Sequence, residues 1–190
     1  MSELFIAMDC ESGGLADEVS LLSAYFGIFD EDFNQLGELD ILVKPNDGLY
    51  KVEAQGLDTN KIDLIAHDKV ALTYGDAGQQ VFKLIQQHSQ DGNIKLIPLG
   101  KNVKGDINWI NKHLLGKKTW NRFVSYRDMD ISPLARALQL KGRIPRGMGL
   151  SLFSLAQHFQ VLSSINGNPH EAKYDTLVTV AVFIKMLEML

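Results

Sequence analysis

The chain has few of the features that mark specialised classes of protein. It contains a single cysteine, Cys10, in 190 residues, which excludes an internal disulfide and a multi-cysteine zinc site. Its net charge of -4 argues against a protein that coats nucleic acid by bulk electrostatics. The longest apolar run, residues 177–190, is interrupted by Lys185 and Glu188, and the N-terminus does not resemble a signal peptide. We therefore expect a cytoplasmic protein without a membrane partner.

The composition and the spacing of apolar residues predict one mixed domain. Hydrophobic residues make up 45% of the chain and charged residues 22%, as in ordinary globular proteins, and the length suits a single domain over residues 1–190. Apolar runs at residues 4–8, 19–29 and 36–43, joined by short turns, predict an antiparallel meander. Two further strands are expected at residues 94–99 and 122–126. Helical spacing is expected from about Lys61, after Asp76, and over residues 105–115, 131–140, 152–159 and 171–190. The pattern predicts an α/β or α+β domain on a mixed sheet of five strands, the first three antiparallel.

Two acids, Asp9 and Glu11, follow the first apolar run directly. Alternate side chains of a strand share a face, so these two would project together, while Cys10 would point the opposite way into the core. Two adjacent carboxylates repel each other, and a divalent metal ion is the usual remedy. Such a pair also occurs by chance about once in a chain of ordinary charged content, so it needs partners elsewhere in the sequence.

Three more residues are candidate partners of this pair. Asp106 is expected in the first turn of the helix that follows a buried strand, at the strand end where ligands of open sheets gather. An acid in this place can also simply stabilise the helix dipole. His170 and Asp175 are five residues apart, or about 140° around a helix, so they do not share a helical face. We expect His170 on the preceding loop or first turn, and Asp175 on the helix itself.

Taken in order, these residues resemble the DEDDh (DnaQ-like) 3′–5′ exonucleases. That family includes ribonuclease T, oligoribonuclease and proofreading subunits of bacterial DNA polymerases. The shared pattern is an acid-x-acid pair before a glycine turn, then Gly-x-Asn-x-x-x-Asp ending at Asp106, then His-x-x-x-x-Asp ending at Asp175. The chain departs from the pattern at Lys101, where His or Tyr is frequent, and at Gly105, where Phe is common.

The resemblance implies a ribonuclease H-like α/β fold and a metal-dependent exonuclease that acts on single-stranded DNA or RNA 3′ ends. It implies two Mg²⁺ or Mn²⁺ ions, a two-metal hydrolysis, and His170 as the general base. The implied metal ligands are Asp9, Glu11, Asp106 and Asp175. The turn Ser12-Gly13-Gly14-Leu15 would receive the 3′-terminal nucleotide.

Several points stay open at the level of the sequence. An exonuclease-like domain can be retained as a catalytically silent module that binds nucleic acid or protein. The sequence does not determine whether the substrate is DNA or RNA. It also does not determine whether the chain forms a homodimer or binds a polymerase. Trp109 and Trp120 are candidates for stacking on bases or for the core. A track for the strand backbone can be built from these basic residues: Lys112, Lys117, Lys118, Arg122 and Arg127.

Overall fold

The computed structural model describes residues 3–190 and contains a mixed sheet with helices on both faces. The strands are β1 (Phe5–Ser12), β2 (Leu21–Phe29), β3 (Gln35–Lys44), β4 (Leu72–Thr73), β5 (Ile97–Gly100) and β6 (Met129–Asp130). The helices are α1 (Ala54–Asn60), α2 (Leu64–Val70), α3 (Tyr74–His88), α4 (Lys104–His113), α5 (Lys117–Phe123), α6 (Ile131–Leu140), α7 (Leu152–His158) and α8 (Ala172–Leu187). Short 3₁₀ turns occupy residues 90–92 and 162–164.

The strand order is β4-β3-β2-β1-β5-β6, with β1 inside the sheet. Strands β1, β2 and β3 form the predicted antiparallel meander, and β5 runs parallel to β1. The α/β class and the mixed sheet are therefore confirmed.

The predicted count of five strands is wrong, because the sheet formed by residues 3–190 has six. Strands β4 and β6 have only two residues each, which is too short to leave an alternating pattern in the sequence. The strand expected at residues 122–126 is also wrong. Most of α5 precedes it, with Trp120 and Phe123 buried at helical spacing, and only Val124 makes an isolated bridge to Leu96.

Within residues 3–190, four of the eight α-helices begin at a residue whose side chain caps them. Asp130 caps α6 and Ser151 caps α7, and both helices lie where the spacing predicts them. The helix expected from about Lys61 is present as α2 but begins later, at Leu64: Lys61 adopts a left-handed conformation (φ 57°) that ends α1, and Asp63 caps α2. A left-handed residue cannot continue an α-helix, so the chain breaks there.

The sheet separates two apolar clusters. Ile6 and Met8 of β1 belong to the cluster under α3, α4 and α5, whereas Phe5 and Ala7 belong to the cluster under α6, α7 and α8. This alternation decides which face each later residue of β1 joins. No helix within residues 3–190 is long and apolar enough to cross a bilayer.

Candidate active site

The carboxyl end of β1 carries the acid pair. Pairing with β5 extends only to Ala7, so the last residues of β1 are bordered by β2 alone. Asp9 and Glu11 continue the face that α8 covers. Cys10 packs against the cluster on the other face, as expected, although it is half-buried and borders a cleft beside Glu11.

Asp106 reaches the acid pair from the opposite face of the sheet. It lies in the first turn of α4, and its Oδ1 accepts a hydrogen bond from the backbone N–H of Cys10 at 3.1 Å. This bond fixes the start of α4 against the end of β1, so the third carboxylate lies where the first two emerge.

Asp130, which is outside the predicted set of acids, holds the turn that precedes Asp106. Its Oδ1 accepts hydrogen bonds from the N–H of Asn102, at 3.0 Å, and from the N–H of Ser132, at 2.9 Å. Asn102 is left-handed (φ 55°), and its side-chain oxygen accepts a hydrogen bond from Ser132 Oγ at 2.9 Å. The sequence pattern does not single out Asp130, although an acid just before a helical run is the usual signal of a cap.

His170 and Asp175 flank the start of α8. His170 lies before the helix, is exposed and left-handed (φ 66°), and its N–H donates to Asp175 Oδ2 at 3.2 Å. Asp175 occupies the first turn of the helix, as the spacing predicts. Glu11, His170 and Asp175 each offer a metal-ligating atom, and these atoms lie within 4.8 Å of one another. That group includes neither Asp9 nor Asp106.

A network on the sheet surface holds the start of α8. Lys173 Nζ lies 3.0 Å from Glu38 Oε1, and the Tyr25 hydroxyl donates to Glu38 Oε2 at 2.7 Å. Tyr25 is the cross-strand partner of Asp9, so this network anchors the start of the helix that carries Asp175 next to the acid pair. Tyr25, Glu38 and Lys173 belong to β2, β3 and α8, so only the fold brings them together.

Electrostatics link all four acids. Burial, followed by repulsion from Asp106, Glu11 and Asp175, raises the pKa of Asp9 well above its ordinary value, and the ammonium of Lys101 opposes this rise. Burial and the neighbouring carboxylates raise the pKa of Glu11 to about 8.

The pKa of Asp106 rises to about 7, mainly through burial, against the opposing hydrogen bond from Cys10 N–H. Burial also raises the pKa of Asp175, whereas the hydrogen bond from the backbone N–H of His170 and the charge of the His170 side chain lower it. The group therefore holds protons at neutral pH that a bound cation would displace.

The donor set fits hard divalent cations. Carboxylate oxygens are the ligands that Mg²⁺ and Mn²⁺ prefer, and the mutual repulsion of four such groups is relieved by positive charge between them. The residues that would hold the ions are Asp9, Glu11, Asp106 and Asp175. His170 stands at the edge of this set, beside two of its members.

A cleft of about 280 Å³ opens beside the acids. Its walls are Cys10, Glu11, Ser12, Gly14, Leu15, Glu53, Gln55, Gly56, Thr59 and Asn60. The predicted turn of residues 12–15 thus forms one wall, and one face of α1 with its N-cap Glu53 forms the other.

The two walls are joined by close contacts. Glu53 Oε2 accepts a hydrogen bond from the N–H of Leu15 at 2.7 Å, and Glu53 N–H donates to Gly13 O, also at 2.7 Å. A β-carbon on Gly14 would lie 2.1 Å from Glu53 Oε2, and one on Gly56 would lie 2.4 Å from Gly13 O. Glycine is required at residue 56, where the clash is with backbone, whereas a β-carbon at residue 14 would displace the Glu53 carboxylate. The sequence pattern does not point to Glu53, since its partners are about 40 residues away.

The fold is similar to solved structures of exonuclease I. One exonuclease I structure matches with a TM-score of 0.78 at 17% identity, over 98% of this chain and 41% of that chain. The zinc-bound complex of Escherichia coli exonuclease I with single-stranded DNA has a TM-score of 0.76 at 15% identity, over 100% and 41% of the two chains. Exonuclease I from Methylocaldum szegediense has a TM-score of 0.67 at 15% identity, over 97% and 40%.

The chain spans about two fifths of the length of these exonucleases. No protein-family model matches the sequence, and the comparison with curated proteins gives no match. The predicted resemblance is confirmed at the level of the fold, which this chain shares with exonuclease I. The chain has the ribonuclease H-like fold that these exonucleases share.

Proposed function

We propose that the chain is a metal-dependent 3′–5′ exonuclease that hydrolyses single-stranded DNA or RNA from its 3′ end, and that residues 1–190 form one exonuclease domain. One observation carries the proposal: Glu11, His170 and Asp175 offer ligand atoms within 4.8 Å of one another at the carboxyl end of β1, and Asp106 accepts a hydrogen bond from the N–H of Cys10, next to Asp9. The fold of exonuclease I supports it, and so does the presence of single-stranded DNA in the Escherichia coli complex.

The chain's residues have separate parts in this reaction. Asp9, Glu11, Asp106 and Asp175 would hold two Mg²⁺ or Mn²⁺ ions, and such ions would supply positive charge that polarises the phosphate and favours ionisation of the attacking water. The imidazole of His170 accepts the proton of that water, because its ring lies beside Glu11 and Asp175 at the edge of the acid set. A bond forms between the water oxygen and phosphorus, and the bond from phosphorus to the 3′ oxygen breaks. The products are a nucleoside 5′-monophosphate and a strand one nucleotide shorter.

The cleft beside Glu11 holds the terminal nucleotide. The turn of residues 12–15 is fixed on both sides, by Gly13 N–H to Ser20 O at 2.8 Å and by the contacts with Glu53. Asn60 Nδ2 also donates to Ser12 O at 2.9 Å. A wall that does not move positions the scissile phosphate against the acids without further ordering on binding.

Directional hydrolysis of a labelled strand tests the proposal. A 5′-labelled single-stranded DNA and a matched RNA are incubated with Mg²⁺ or Mn²⁺, with and without a phosphorothioate block at the 3′ end. We expect a ladder that shortens from the 3′ end, that stops at the block and that disappears with a chelator. Asp9→Ala and His170→Ala should each reduce nucleotide release by at least about 100-fold, the lower range for loss of a general base.

The matched control is Asp32→Asn, which changes an exposed acid outside the site. Unchanged hydrolysis in folded Asp9→Ala or His170→Ala protein would refute the assignment. Titration with Mn²⁺ distinguishes the exonuclease from a catalytically silent binding module. A silent module has no reason to take up two ions, and it would bind strands without shortening them.

A further inference from the structure

Strand β3 has an outer edge that is uncovered over most of its length. On one side β3 pairs with β2 from Gln35 to Leu42, whereas on the other side β4 pairs only with Val43 and Lys44. Within residues 3–190, no backbone hydrogen bond from a turn or loop reaches residues 35–42. Alternate residues of an antiparallel strand direct their N–H and C=O groups to the same side. Every second residue of this segment therefore presents an unpaired donor and an unpaired acceptor at the edge of the sheet.

This edge lacks the usual protections against pairing with another chain. Proline, lysine and bulges are common on exposed edge strands, because they prevent a further strand from adding. Residues 35–42 contain neither proline nor lysine, and the pairing with β2 is regular from Gly37 to Leu42. The side chains of Leu36 and Leu42 are 48% and 40% exposed. A long regular edge with exposed leucines is suited to the addition of an extended segment.

Two acids set the charge of this edge. Glu38 and Asp40 lie between the two leucines on the same face of β3, and both are exposed. Glu38 is paired with Lys173, whereas Asp40 has no cationic partner at ion-pair distance within residues 3–190. Opposite charges at directly opposed positions of neighbouring strands attract each other, and like charges repel. An added strand is therefore stabilised most by Lys or Arg opposite Asp40.

A second copy of the chain does not meet this requirement. Two copies of β3 that pair about a two-fold axis are antiparallel, and the longest overlaps place the axis at residue 38, 39 or 40. These registers set Glu38 opposite Glu38, Glu38 opposite Asp40, or Asp40 opposite Asp40 of the other copy. Each one brings like charges together. The edge therefore favours a basic segment over a copy of itself.

We propose that the free edge of β3 binds an extended segment of another protein in which Lys or Arg alternates with apolar residues. The basic side chains lie on the face of Asp40. The apolar side chains lie on the opposite face, where Leu39 and Ile41 belong to the cluster under α3. None of the residues assigned to hydrolysis is on this edge, so the proposal does not depend on the proposed function.

Amide hydrogen exchange of the full chain with two synthetic peptides tests the proposal. One peptide has seven residues of alternating valine and lysine with blocked ends, and the matched peptide has glutamate in place of lysine. At ten times its dissociation constant, the lysine peptide should slow exchange within residues 35–42 by about 10-fold, and the glutamate peptide should not. The lysine peptide with methylated backbone nitrogens should also have no effect, because it has no N–H to donate.

A change of charge at Asp40 tests the selectivity. Asp40→Lys replaces an attractive pair with a repulsive one and should weaken binding of the lysine peptide by about 2- to 30-fold, with Asp40→Asn intermediate. The matched control is Glu18→Lys, which makes the same change of net charge at an exposed acid outside β3 and should bind as the native chain does.

The outcomes separate the possible occupants of the edge. No protection by the lysine peptide, or equal protection by both peptides, overturns the proposal. Protection of residues 35–42 that needs no peptide and grows with the concentration of the chain means that a second copy occupies the edge, and this also overturns it. A chain that shortens strands but binds neither peptide retains the proposed function and loses only the edge site.

Discussion

Removing the Glu11 carboxylate should stabilise the metal-free protein at alkaline pH. Burial and repulsion from Asp175 and Asp106 raise the pKa of Glu11 to about 8, from an ordinary value of 4.5. Between these two values the folded protein retains a proton that the unfolded chain has released. The free energy of unfolding therefore falls as the pH rises through this window. Glu11→Gln removes the ionisable group and therefore its contribution to the decrease in the free energy of unfolding.

The size of the effect follows from the shift. Each pKa unit corresponds to 1.36 kcal/mol, so an isolated group shifted this far would lose about 5 kcal/mol of stability across the window. Glu11 is half-buried, so water screens part of its charge, and its proton is shared with neighbouring acids. We expect Glu11→Gln to be about 1 to 3 kcal/mol more stable than the native chain at pH 8.5, and within about 0.5 kcal/mol of it at pH 4.5.

This difference is measured by urea unfolding at several pH values with a chelator present, with circular dichroism as the signal. The control is Glu31→Gln, since Glu31 is exposed and outside the site. In a separate sample without chelator, Mn²⁺ at about 100 times its dissociation constant should stabilise the native chain by about 2.7 kcal/mol for each bound ion, and the same Mn²⁺ concentration should stabilise Glu11→Gln by less. The reasoning fails if the metal-free native chain is equally stable at pH 5 and pH 8.5, or if Glu11→Gln and the native chain stay equal at alkaline pH.

Three further substitutions test the supports of the site. Glu53→Ala removes the acceptor of Leu15 N–H and should lower kcat/KM about 10-fold on single strands, whereas Glu53→Gln, whose amide oxygen still accepts, should stay close to the native rate. Gly56→Ala would set a β-carbon 2.4 Å from Gly13 O, so urea unfolding should show a loss of about 1 to 3 kcal/mol. Asp130→Ala removes the cap of α6 and should lower the free energy of unfolding by about 1 kcal/mol, with Asp130→Asn intermediate; equal stability of all three proteins would contradict this role.

The long elements of the fold could be predicted because their patterns are local. The meander has apolar runs of five to eleven residues, and α6 and α7 begin after residues whose side chains cap them. The two-residue strands β4 and β6 have no periodicity of their own and exist because neighbouring strands hold them in register. At residues 122–126 the apolar side chains indicated a strand, but the burial of Trp120 and Phe123 on one helical face decided the structure.

The candidate residues of the site could be named for a similar reason. Each acid is next to the end of an element whose type is readable, so its approximate place follows from topology. The contacts that set their geometry join residues far apart in the chain. Asp106 bonds to Cys10, 96 residues away, and Glu53 bonds to Leu15, 38 residues away. Local spacing contains no information about such contacts.

The two departures from the family pattern, Lys101 and Gly105, lie on opposite sides of Asn102 in the turn and first helical residues that lead to Asp106. The charge of Lys101 lowers the pKa of Asp9, so it relieves part of the repulsion that burial of four carboxylates creates. The missing side chain of Gly105 leaves space over the start of α4, and Trp109, one turn later, borders that space. One departure therefore acts on charge and the other on shape. Gly105→Phe should fill this space and leave metal binding, which depends on the acids, intact, and Mn²⁺ titration of the folded variant measures this.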